Sequence, residues 1–153
     1  MNVRPTVQDD IATLQSVLDE TQLFPSEMLP DLIEGFLSGN AQDIWLTCES
    51  DGIAIGFCYA APEQLADGTW NMLAIAVARD LQGKGVGRAI VQQLETELKT
   101  RGQRILIADT SGTDEFGDTR DFYRKNGYCE EARIRGFWGP GDDKVVFWKS
   151  LAN

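Results

Sequence analysis

Seven consecutive residues, Gln82-Gly83-Lys84-Gly85-Val86-Gly87-Arg88, concentrate the chemistry of this chain. They follow an apolar run, Leu73-Ala74-Ile75-Ala76-Val77. They precede a segment whose Val86, Ile90, Val91, Leu94 and Leu98 recur at helical spacing. A strand that turns through closely spaced glycines into a helix N-terminus is an anion site. Glycines let the backbone approach a ligand, several N–H groups converge, and the helix dipole favours negative charge. The spacing excludes two familiar phosphate loops. A dinucleotide fingerprint needs G-x-G-x-x-G, and counting from Gly83 its last glycine falls on Arg88. A P-loop needs four residues between glycines and then Lys-Ser/Thr, which this stretch lacks.

Composition narrows the ligands further. Aspartate and glutamate total 24 against 14 lysine plus arginine, a net charge of −10. Nucleic acid and anionic membrane surfaces both require a basic face, so neither is expected as a partner. Acidity is compatible with a cationic substrate, although it also simply keeps a protein soluble. The chain contains no histidine, which removes every His-dependent catalytic scheme. Cys48, Cys58 and Cys129 are odd in number and far apart, without a C-x-x-C pair. Neither a disulfide framework nor a metal site is expected, and reduced thiols imply a cytoplasmic protein. Met1 to Asp10 has no apolar signal region, and no run reaches transmembrane length.

The elements that must position the glycine loop can be read along the chain. With 153 residues, residues 1–153 form a single domain with room for a real core. Val3 to Val7 reads as a short strand. Thr6-x-x-Asp9 resembles a capping box before a helix with Ile11, Leu14, Val17 and Leu18 on one face. A second helix follows Ser26 and stops near Gly39. Strands at about 44–49, 53–61 and 69–78 are joined by Ser50-Asp51-Gly52 and Asp67-Gly68 as an antiparallel meander. The glycine loop opens a third helix, which ends at Gly102. Ile105 to Ala108 is a short buried strand, and a helix at about 119–125 is closed by Asn126-Gly127. Two strands, about 128–137 and 144–151, flank Gly139-Pro140-Gly141-Asp142-Asp143. The order βααβββαβαββ predicts an α/β fold: a mixed, twisted central sheet of about seven strands with four helices.

The loop fits Gln/Arg-x-x-Gly-x-Gly/Ala, with Gln82, Gly85 and Gly87 at the fixed positions. In this it resembles the pyrophosphate loop of the GNAT superfamily of acyl-CoA-dependent N-acyltransferases. The element order is also that of the family, over nearly the whole chain. A second motif supports the resemblance. Phe122-Tyr123 followed by Gly127-Tyr128 looks like the family's later helix, which carries a Leu/Phe-Tyr pair and ends at Gly-Phe/Tyr. One position departs from the pattern: the asparagine often found seven residues before that tyrosine is Phe116 here.

The resemblance implies a role for each matching residue. Acetyl-CoA is the acyl donor, with no metal. Its two phosphates lie on the backbone of Gln82, Gly83, Lys84, Gly85, Val86, Gly87 and Arg88, with Lys84 and Arg88 adding charge. Its pantetheine arm pairs with the free edge of Ile75, Ala76 and Val77, and one N–H there faces the thioester oxygen as it becomes an oxyanion. Tyr123 touches the cofactor sulfur and is the candidate general acid for the departing thiolate; its other reading is a core aromatic. The strand position that often carries a glutamate base holds Asn71. An amide orients an amine or water but takes no proton at neutral pH. Asp109, Glu115 and Asp118 are the alternative bases, each also readable as an exposed loop or cap carboxylate.

The reaction implied is transfer of an acetyl group to a primary amine of a small molecule by direct attack in a ternary complex. No cysteine sits in either motif, which disfavours a covalent acyl-enzyme. The rival from another class is a non-catalytic acyl-CoA-binding regulatory module of the same fold. Phe24, Trp70, Phe116 and Trp138 are expected to line the acceptor pocket. Asp114, Glu115, Asp118 and Asp121 would draw cations to it. Trp138 and Trp148 also read as sheet packing or as the contact of a homodimer.

Overall fold

The computed structural model describes residues 1–152. Seven strands form one sheet: β1 Asn2–Pro5, β2 Ile44–Ser50, β3 Ile53–Pro62, β4 Thr69–Val77, β5 Ile105–Ser111, β6 Cys129–Gly139 and β7 Asp142–Ser150. Four α-helices accompany them: α1 Ile11–Thr21, α2 Leu29–Leu37, α3 Val86–Thr100 and α4 Gly117–Lys125. The spatial order is β1-β2-β3-β4-β5-β7-β6. Every neighbouring pair is antiparallel except β4 and β5, which are parallel and joined through α3. A parallel pair needs such a crossover, whereas the meander β2–β4 and the hairpin β6–β7 close through short connections, and β1 reaches β2 through α1 and α2. Pro140-Gly141 makes the last of these. Proline presets the first turn position, and Gly141 supplies the positive φ (76°) that the second requires.

The core lies on both faces of the sheet. Leu14, Val17, Leu18, Leu29 and Ile33 of α1 and α2 bury against Trp45, Phe57, Ala74 and Ala76. On the other face Val86, Ile90, Val91, Leu94 and Leu98 of α3 and Tyr123 of α4 pack on Leu46, Cys58, Met72, Leu106, Val145 and Phe147. The helical stripes predicted from spacing are therefore the buried faces.

Two local expectations are corrected. Only the carboxylate half of a capping box forms, one residue later than Thr6-x-x-Asp9. Asp10, not Asp9, accepts from the Val7 N–H (2.9 Å) and from both Arg4 amines (2.8 and 2.9 Å). Thr6 instead buries its hydroxyl against that of Thr47 (2.8 Å), because β1 pairing carries it into the sheet. The second correction concerns β5, which does not stop at Ala108. Pairing with β7 holds Asp109, Thr110 and Ser111 in the strand opposite Val146, Val145 and Lys144. That cross-strand ladder overrides the weak strand preference of an Asp-Thr-Ser sequence.

The β4 strand carries the feature that shapes the site. Tyr59 pairs with Ala74 and Ala60 with Met72, leaving Leu73 as the extra residue of a β-bulge, half exposed. The bulge breaks the alternation of side chains. Trp70 and Met72 face α3, yet Ala74 and Ala76 face α1. At the same place the parallel pairing ends: Met72 with Ala108 is the last pair between β4 and β5. Beyond it β4 runs on to Val77 and β5 to Ser111 without bonding each other, and the sheet opens.

Candidate active site

Ile75, Ala76 and Val77 line this opening. Their inner edge is bonded to Cys58, Phe57 and Gly56 of β3, so their outer edge is left for another extended chain. The glycine loop follows directly. The Ala78 N–H donates to the Ile55 carbonyl (2.8 Å), and the Arg79 N–H to Glu20 of α1 (2.9 Å), which anchor the entry. The Gln82 side chain donates back to the Val77 carbonyl (3.1 Å), so it braces the loop against the strand end.

The three glycines serve different ends. Gly83 and Gly85 have φ of 77° and 87°, and nothing stands within 4 Å of a Cβ placed on either. Backbone conformation, not space, demands glycine there. Gly87 has an ordinary helical backbone, but a Cβ on it would lie 2.9 Å from the Phe122 ring. It lets α4 approach α3. Among the described residues no acceptor meets the N–H groups of Gly83 through Arg88, and the first helical bond runs from Ala89 to Gly85 (3.0 Å). These unpartnered donors, at a helix N-terminus and with two left-handed residues among them, form an anion-binding concavity. Val86 is buried in the core, so only its N–H faces outward chemistry. Lys84 and Arg88 are exposed and pair with no carboxylate among the described residues. Arg88 also opens a groove of about 590 Å³ with Gln92, Thr96, Lys99, Lys125 and Lys149. Lys125 and Lys149 were not legible as neighbours of the loop, since they come from α4 and β7.

Tyr123 projects from α4 into the core on this same face, stacked on Phe147 (5.2 Å) and edge-on to Phe122 and Tyr128. Burial, with smaller contributions from Asp109 and Cys58, raises its pKa above the usual phenol range, so the hydroxyl stays protonated. It makes no hydrogen bond within the described chain, whereas Tyr128 donates to Glu95 (2.8 Å). Lys149 joins Glu95 (2.8 Å) and the Asn126 carbonyl (2.8 Å), locking the end of α4 to α3 and β7. Phe116 is more than one-third exposed and does not hold the entry of α4. Arg120 does, donating to the carbonyls of Ser111 (2.8 Å) and Thr113 (2.7 Å). Cys58 shares the core cluster with Tyr123, and burial pushes its thiol up to about 12, leaving no thiolate for covalent chemistry.

The other face of the opening holds a polar cluster. Asn71 is 7% exposed, and its amide donates to Glu63 (3.0 Å) and Asp109 (3.3 Å). Lys144 pairs with Asp109 (3.3 Å) and lies over the Phe137 ring (4.4 Å). Asp109 is thus a strand residue in the site and not a loop carboxylate. Glu115 and Asp118, like Asp114 and Asp121, lie on the exposed face of the α4 region, with Asp121 spent on Arg124 (3.2 Å). Trp70 also departs from expectation. Its ring packs on the α3 side and donates to Gln103 (2.9 Å), at the far end of β4 from the glycine loop. Phe24 packs against the core cluster of α1, α2 and the sheet, and Trp138 is half exposed with its indole on the Thr110 carbonyl (3.2 Å).

The same architecture recurs in known proteins. A model of the acetyltransferase (GNAT) family matches residues 11–128. Among curated proteins, no sequence matches. A GNAT-family protein from Desulfovibrio desulfuricans superposes with a TM-score of 0.91 at 27% identity, covering 99% of both chains. An aminoglycoside 6′-N-acetyltransferase crystallised with coenzyme A gives 0.82 at 19% identity, covering 100% of this chain and 98% of that one. The ribosomal-protein-S18-alanine N-acetyltransferase of Escherichia coli gives 0.78 at 18%, covering 99% and 94%. At the identities of the last two the likeness is one of fold, and their acceptors differ. Family model, sheet topology, opened β4–β5 pair and glycine loop agree: the chain belongs to the GNAT family of acyl-CoA-dependent acetyltransferases.

Proposed function

We propose that this protein moves an acetyl group from acetyl-CoA to a primary amine of a small molecule, by direct attack within a ternary complex. The observation that carries this reading is the run of unpartnered N–H groups from Gly83 to Arg88, continuous with the free edge of β4. The amides and the Lys84 and Arg88 cations receive the two phosphates. Ile75, Ala76 and Val77 hold the pantetheine arm as an added strand would be held. An N–H of this edge stabilises the thioester oxygen as charge develops on it. Tyr123, protonated and without a protein partner, gives its proton to the departing thiolate. The buried Cys58 thiol supports direct transfer over an acyl-enzyme. No helix among the described residues is long and apolar enough to cross a membrane, and reduced cysteines fit the cytoplasm.

The test follows thiol release from acetyl-CoA over a panel of amines: phenethylamine, spermidine, kanamycin, and neutral and acidic amino acids. Release with at least one amine, together with a rise in melting temperature on adding acetyl-CoA, is the expected result. A melting shift without release from any amine would favour the non-catalytic acyl-CoA-binding module. No shift at millimolar acetyl-CoA would remove the donor assignment itself.

A further inference from the structure

We propose that Glu63, Asn71 and Asp109 form the subsite that receives the acceptor's ammonium group, and that Lys144 fills it as an internal cation until the acceptor arrives. The inference rests on the acetyl-transfer reading above and adds the acceptor half of the site. Four segments meet here: Glu63 just past β3, Asn71 on β4, Asp109 on β5 and Lys144 on β7. Asn71 and Asp109 flank the last parallel pair, Met72 with Ala108, on the sheet face opposite Trp70, Leu106 and Ala108. They therefore stand where the sheet opens, across it from Tyr123.

Hydrogen bonding shows what the cluster lacks. The Asn71 nitrogen is satisfied twice over, by Glu63 and Asp109, but the Asn71 Oδ1 and Asp109 Oδ1 are both buried without a donor among the described residues. A buried acceptor without a partner is costly, more so when charged, so two in one cluster mark a place made for a donor. The charges agree. Glu63 and Asp109 bring two negative charges and Lys144 one positive, leaving one carboxylate uncompensated. A primary ammonium supplies what is absent: one positive charge and three donors.

Lys144 is held in a manner suited to exchange. Its ammonium touches only one Asp109 oxygen, and its second contact is the face of Phe137, itself half exposed. The four-carbon stem can keep the charge on the ring while releasing the carboxylate. An acceptor ammonium then takes the Asp109 and Asn71 oxygens. The reaction balances from that pose. The bound ammonium passes one proton to the Asp109 carboxylate, and the freed lone pair attacks the thioester carbonyl carbon. The N–C bond forms and the C–S bond breaks. The second nitrogen proton leaves with collapse of the intermediate, and Tyr123 delivers its proton to sulfur and is reprotonated in turn. Amide and CoA thiol result, and Asp109 returns its proton to solvent.

The experiment compares Asp109→Asn, Lys144→Gln and the outer-face control Asp121→Asn with the parent. For the best amine of the panel, Asp109→Asn should raise the amine KM at least tenfold and lower kcat, with the acetyl-CoA KM unchanged. Lys144→Gln should lower the amine KM several-fold, because the competing cation is gone. A merely structural ion pair predicts the reverse for Lys144→Gln, a loss like that of Asp109→Asn, and this would overturn the proposal. Calorimetry of phenethylamine binding to the CoA-bound protein supplies a readout free of turnover. Heat in the parent that vanishes in Asp109→Asn supports the subsite; heat that persists in Asp109→Asn, or none in the parent, overturns it. An unchanged acetyl-CoA melting shift certifies that each variant is folded. Amine acetylation that survives in Asp109→Asn unaltered would sink the subsite while leaving the acetyl-transfer reading intact.

Discussion

The two sides of the β4–β5 opening are built by different means. The proposed donor side is continuous chain: the β4 edge, a braced turn and seven loop residues, which offer backbone N–H groups. The proposed acceptor side is assembled from side chains of four segments, of which no two are closer than eight positions in sequence: Glu63, Asn71, Asp109 and Lys144. Backbone recognition tolerates almost any side chain that keeps the turn. Side-chain recognition changes with a single substitution. One fold can thus serve different acceptors, as the aminoglycoside and ribosomal-protein acetyltransferases of the same architecture illustrate.

The largest expected effect probes the point where the two sides meet. Tyr123→Phe keeps the ring stacked on Phe147 and removes only the hydroxyl. Turnover should fall about 10²–10⁴-fold, with acetyl-CoA affinity nearly unchanged. Unaltered turnover, with chemistry shown to be rate-limiting, would make Tyr123 a packing residue only.

The donor side is sharpened by separating its glycines. Gly87→Leu should destabilise by about 1–3 kcal/mol, because its side chain drives into Phe122. Phe122→Ala should recover part of that loss in a double-mutant cycle. Gly85→Ala meets no neighbour, so its cost is the left-handed backbone alone, about 1–2 kcal/mol, and Phe122→Ala should not relieve it. Equal rescue of both variants, read by chemical denaturation, would refute the division of roles.

Asp10 offers a smaller effect, away from both sides. Burial pushes its pKa up, but the Arg4 hydrogen bonds and the Val7 N–H outweigh this and hold it below the ordinary carboxylate range. A depressed pKa contributes stability that is present above the unfolded value, near 3.8, and is lost as pH falls through the folded one. Asp10→Asn should therefore flatten part of the parent's acid destabilisation below about pH 4. Identical acid profiles would show the pair to be neutral. The smallest effect expected is that of Trp70→Phe on the amine KM. Its indole faces Gln103 on the α3 side, so a change within twofold is expected. A tenfold rise would return Trp70 to the acceptor pocket.

What the residues alone determined is the strand–glycine loop–helix of the proposed donor side and the frame around it. Glycine spacing, the apolar run before it and the helical stripe after it are local patterns, and local physics decides them: positive φ, dipole, period. The element order followed for the same reason, and the buried stripes of α1 and α3 are the ones their spacing predicted. Asn71 is picked out by the resemblance, at the strand position that often carries a glutamate. Of its partners, Asp109 stands among the alternative bases, read as a loop or cap carboxylate, while Glu63 and Lys144 carry no local signal. That Asp109 is in a strand depends on pairing with β7. That Lys144 reaches it depends on a hairpin folding back, and that Trp70 turns away depends on which face of β4 meets α3. The Leu73 bulge shows the cause most directly. One unpaired residue sends Ala74 and Ala76 to the face opposite Met72, against strict alternation, and only the register against β3 sets its place. Turn chemistry is written in neighbouring residues, whereas register and facing are settled by which strands pack together, so the cluster of Glu63, Asn71, Asp109 and Lys144 exists only in the folded sheet.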